Sequence, residues 1–69
     1  MQLLNFDSIG INLPEYGHAR YTPEQFILLP VSDRVKMVLR GEITFYNRGM
    51  EVDKRLSLAA LRKWSAARA

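Results

Sequence analysis

Val31, Val35, Val38 and Leu39 recur at the i, i+4, i+7, i+8 spacing that lines one side of an α-helix, with Arg34, Lys36 and Arg40 distributed around the remainder. Ser32 is a candidate N-cap with Asp33 in the first turn, and Gly41 follows the stripe where a left-handed C-cap glycine belongs. The spacing predicts a helix that buries the three valines and Leu39 and leaves Met37 on its polar side. The period then drops from 3.6 to 2. In Glu42-Ile43-Thr44-Phe45-Tyr46, Ile43 and Phe45 share one face, Thr44 and Tyr46 the other, and β-branched and aromatic residues dominate. Asn47-Arg48-Gly49 supplies turn chemistry and Met50-Glu51-Val52 alternates as a return strand, so a β-hairpin is expected. A lone hairpin is only marginally stable, and its apolar face needs a cover.

The flanks supply that cover. Thr22-Pro23-Glu24-Gln25 has a good N-cap, a proline at the first helical position and a glutamine placed to close a capping box, while Pro30 stops the helix within two turns. Phe26 and Leu29 are expected to enter the core from it. Asp53 caps a last helix on which Leu56, Ala60, Trp64 and Ala67 form a stripe with Leu61 beside it, and Arg55, Arg62 and Lys63 lie opposite. Trp64 should therefore close over Ile43, Phe45 and Val52. Residues 1–20 are punctuated by Gly10, Pro14 and Gly17 and read as an N-terminal arm laid on the surface. Within it Ile9, Ile11 and Leu13 alternate as a candidate third strand. The expected architecture is a small α+β domain, helix, helix, hairpin, helix over residues 21–69, after that arm.

Composition narrows this little. A chain of 69 residues makes one domain with a small core. At 48% hydrophobic and 25% charged it resembles a folded domain, not a disordered tail. It has no cysteine and one histidine, which excludes a disulfide framework and leaves little for a structural zinc site. No apolar run spans a bilayer and the N-terminus lacks the pattern of an export signal, so a cytoplasmic chain, complete as it stands, is expected.

Charge does change the picture. Residues 1–53 carry five Lys/Arg against seven Asp/Glu, a net −2, whereas residues 54–69 carry five Lys/Arg and no acid, a net +5. Such asymmetry suits nucleic acid, an acidic protein face or simply a solvated helix whose cations complement its dipole. The candidate nucleic-acid residues are Arg48, Arg55, Arg62, Lys63 and Arg68. A hairpin intervenes between the two longer helices, however, where a recognition helix would follow a tight turn.

Catalytic chemistry is poorly represented. His18 sits in the least patterned segment, the acids lack metal-ligand spacing, and the four glycines fit turns and a helix end instead of a phosphate loop. The sequence thus predicts no enzyme, no cofactor, no metal, no small-molecule substrate and no membrane partner. It predicts an interaction or regulatory module that binds a protein partner or itself. The candidate partner face is the set of apolar residues left over by the expected core, namely Met37, Tyr46 and Leu58.

Overall fold

The computed structural model describes residues 4–17 and 19–68. They form a small α+β domain in which three helices pack on a four-stranded antiparallel sheet. The elements are β1 (Ser8–Ile11), β2 (Arg20–Tyr21), α1 (Pro23–Phe26), α2 (Val31–Arg40), β3 (Ile43–Asn47), β4 (Met50–Glu51) and α3 (Lys54–Arg68), with a 3-10 turn at Pro14–Tyr16.

The spatial order β2-β1-β3-β4 makes the N-terminal segment an inner strand of the sheet. Ile9 opposes Phe45 and Ile11 opposes Ile43, so the period-2 patterns of two distant segments meet in register on one buried face. Phe6 adds its ring edge-on to Phe45, with centroids 4.8 Å apart. The expected third strand therefore forms, and the expectation of a surface arm fails because Phe6, Ile9 and Ile11 carry a large share of the core. Packed beside Ile43 and Phe45, these side chains give the hairpin the additional strand and apolar face that it lacks alone.

The hairpin closes more tightly than expected. Asn47 pairs with Met50 across a two-residue loop, and Arg48 and Gly49 both take positive φ, 54° and 81°, as a type I′ turn requires. Arg48 is no glycine, and its strained position is supported by its backbone N–H donating to Asp7 Oδ2 at 3.1 Å. On the outer face of the sheet Tyr46 lies across Gly10. A Cβ at Gly10 would stand 2.9 Å from Tyr46 Cε2, so only glycine leaves room for the ring. The Arg20 guanidinium stacks over the same ring, 3.9 Å from its centroid.

The α1 capping box forms as expected: the Gln25 N–H donates to Thr22 Oγ1 and the Thr22 N–H to Gln25 Oε1. Phe26 is buried and Leu29 half-buried, while Leu28 stands 82% exposed.

Both longer helices depart from the expected orientation. In α2 Pro30, not Ser32, is the N-cap, and no side chain caps the helix. Met37, expected outside, has no exposed surface, whereas Val31, Val35, Val38 and Leu39 are exposed, Leu39 by 80%. The physical reason lies on the opposite side of the helix. Asp33 accepts a hydrogen bond from the Tyr16 hydroxyl at 2.6 Å, Arg34 Nε donates to the Leu29 carbonyl at 3.0 Å, and Met37 fills the core between them. Asp33 and Met37 share the side of the helix roughly opposite the valine stripe, and Arg34 lies at the edge between that side and the stripe. In α3 the inward arc is rotated by about 50°, half the step of one residue. Ser57 and Leu61 are buried and Ala60 and Trp64 half-buried, while Leu56 is 65% exposed and Ala67 exposed. Asp53 caps the helix as expected, accepting from the Leu56 N–H at 3.0 Å. The rotation follows from Ser57, whose hydroxyl donates to the Asp53 carbonyl at 2.7 Å and accepts from Asn5 Nδ2 at 3.0 Å. That pair of bonds ties the first turn of α3 to the N-terminal segment.

Candidate docking groove

The outward valine stripe of α2 does not face open water on every side. Together with Phe26, Leu58, Leu61, Arg34 and Arg62 it lines an open groove of about 350 Å³ between α2 and α3. Fully burying a valine or leucine side chain stabilises by about 1.5–3 kcal/mol. Four such residues along one helix, left outside a core of only eight buried hydrophobic residues, are therefore a large unrealised term. Scattered exposed leucines are ordinary; a periodic stripe bordering a concavity is the pattern of an interaction surface.

Two basic side chains border the groove. Arg34 borders the stripe on α2, its guanidinium fixed by the bond to the Leu29 carbonyl, and Arg62 projects from α3. No Asp or Glu lines the groove. Among the described residues the one salt bridge joins Arg40 and Glu42 at 3.9 Å, so neither Arg34 nor Arg62 is ion-paired there.

A second hollow, of about 370 Å³, lies along another side of α2 and is lined by Leu13, Glu15, Tyr16, Asp33, Lys36 and Arg40. It is polar and carries both signs of charge. Inside it the hydrogen bond to Asp33, helped by burial and the adjacent negative charge, pushes the Tyr16 hydroxyl up from 10.0 to about 12.

The residues singled out by sequence fall into separate places. Of the candidate partner residues only Leu58 reaches the groove; Met37 is in the core and Tyr46 is half-buried between Gly10 and Arg20 on the far side of the sheet. The five candidate nucleic-acid residues are all exposed but not gathered. Arg48 is at the hairpin tip, Arg62 lines the groove, and Arg68 stacks its guanidinium 4.6 Å from the Trp64 ring centroid. Arg55 and Lys63 remain on exposed sides of α3. His18 lies outside the described residues.

Among the described residues no three His, Asp or Glu side chains converge as a metal site requires, and no helix is long and apolar enough to cross a membrane. The groove residues Val31, Val35, Val38 and Leu39 carry a strong sequence signal, and the same signal would mark a core stripe. What tells the two apart is tertiary: Met37 in the core and the Tyr16 bond to Asp33, a contact across 17 positions. Comparison with protein-family models, with curated proteins and with solved structures finds no match to this chain.

Proposed function

We propose that this chain is a non-catalytic protein-interaction module that binds a partner protein in the groove between α2 and α3. The observation that carries this reading is the orientation of α2, which turns its polar side to the core and its valine stripe to solvent. A groove walled by two helices and floored by Phe26 and Leu61 suits a partner helix that lays apolar residues at i, i+4 and i+7 into it.

Selection of helical peptides from a random library on the immobilised protein tests this. Recovered binders should share that apolar spacing and lose binding to a Val35→Asp/Val38→Asp variant, while Thr44→Asp on the outer sheet face has no effect. Both valines are exposed, so the double variant should stay folded. Failure to recover binders, or binders indifferent to the double variant, sinks the proposal.

Nucleic-acid binding is the weaker alternative, since Arg62 faces the apolar groove and Arg68 is occupied by Trp64. It predicts affinity for generic DNA or RNA that falls steeply with salt. No binding at low salt dismisses it.

A further inference from the structure

Resting on that reading, we infer that the occupant of the groove is an acidic amphipathic helix, one whose apolar anchors are flanked by Asp or Glu. The groove pairs an apolar lining with two guanidinium groups and no carboxylate, and neither arginine has an ion-pair partner among the described residues. Asp33, the acid adjacent to Arg34 in sequence, is spent on the Tyr16 hydroxyl and belongs to the other hollow. Arg62 is the charged residue that α3 brings to the groove, and residues 54–69 hold no acid to neutralise it locally.

A second copy of the chain is the wrong occupant. A two-fold contact through this groove would set the Arg34 and Arg62 of one protomer against the same pair on the other, with no carboxylate lining either side. Burying like charges in that way costs affinity, whereas carboxylates beside the anchors complete both guanidinium groups. Arg34 is the better placed of the two, because its bond to the Leu29 carbonyl already fixes the side chain.

The test uses three synthetic helical peptides of about 14 residues, with the same leucines at i, i+4 and i+7 and with Glu, Gln or Lys at the flanking positions. Affinities for the full chain are measured by fluorescence anisotropy at low and high salt. The Glu peptide should bind about tenfold more tightly than the Gln peptide at low salt and the Lys peptide most weakly, with the differences shrinking as salt rises. Arg62→Glu should narrow or reverse that order without changing the unfolding midpoint.

Equal affinities for all three peptides, each abolished by Val35→Asp/Val38→Asp, would overturn the charge inference and leave the docking groove standing. Saturable binding by none of them would remove both. Light scattering that shows a dimer dissolved by the double variant would make the occupant a second copy and overturn the inference as well.

Discussion

Helices α2 and α3 are both amphipathic, yet the one with the cleaner apolar stripe is the one that turns it away from the core. In α3 a stripe diluted by alanines still delivers Leu61 to the core with Trp64 half-buried beside it. In α2 the stripe of three valines and a leucine faces out, and burial passes through Met37 alone. The difference shows that periodicity identifies a helix and its two sides but does not decide which side is buried. Tethers decide it. A fully buried serine anchors α3 through Asn5 and the Asp53 carbonyl, and an aspartate bonded to a tyrosine hydroxyl anchors α2. On the sheet's inner face Ile9, Ile11, Ile43 and Phe45 join Phe6 and Phe26, and α2 adds Met37, an unbranched side chain that fills irregular gaps.

The sharpest way to break this comparison is to truncate two residues that sit two positions apart on α2. Met37→Ala should cost about 2–5 kcal/mol, because it opens a cavity in a packed core. Leu39→Ala should change stability by less than about 0.5 kcal/mol, since it removes an exposed side chain. Urea unfolding of both variants checks it. Equal losses, or a larger loss at Leu39, would mean that the helix is turned as its periodicity alone suggests.

What could be read from the sequence was whatever rests on local chemistry. The capping box at Thr22 and Gln25, the glycine that ends α2, the alternation through Ile43 and Phe45 and the Asp53 cap are each contained within a few residues, and all are present. The strand at residues 8–11 was legible as alternation, but its inner position was not. That position depends on a register with residues 43–46, a pairing between segments far apart in the chain. The rotation of α2 goes with Met37 in the core and a hydrogen bond between residues 17 positions apart, and that of α3 with one between residues 52 apart. Helical spacing carries no trace of either. The groove was therefore hidden by its own signal. Met37, chosen as surface because it lay off the stripe, proved to be core for the same reason, and Tyr46, chosen as an outward-facing aromatic, is taken up by covering Gly10.

The tether of α3 allows a gentler test. Ser57→Ala removes the donor to the Asp53 carbonyl and the acceptor for Asn5 Nδ2, and should cost about 1 kcal/mol. Asn5 is half-buried and its Oδ1 already lacks a partner, so it has little means of compensating. Once Ser57 is alanine, Asn5→Ala should add less than it costs on its own, because the two residues act through one bond. Strict additivity in thermal unfolding would show that the bond does not hold the helix in place.

The tether of α2 predicts the smallest effect, and one whose pH dependence shows only in alkali. Tyr16 donates to Asp33 as the neutral phenol, and its value is raised from 10.0 to about 12 chiefly by that hydrogen bond. A folded-state value above the unfolded one means that folding favours the protonated form. The contribution is complete below pH 10, declines as the unfolded chain sheds the proton more readily, and is gone once pH passes the folded value near 12. Wild type should therefore be more stable than Tyr16→Phe by a constant margin from neutrality to about pH 9, with the two curves converging above about pH 10. Unfolding midpoints across that range measure the margin. Ultraviolet titration of tyrosinate should show a late-ionising step in the wild type that is absent from the variant. A margin that stays level through pH 11 would place the Tyr16 proton elsewhere than on Asp33, and the account of why α2 faces outward would lose its anchor.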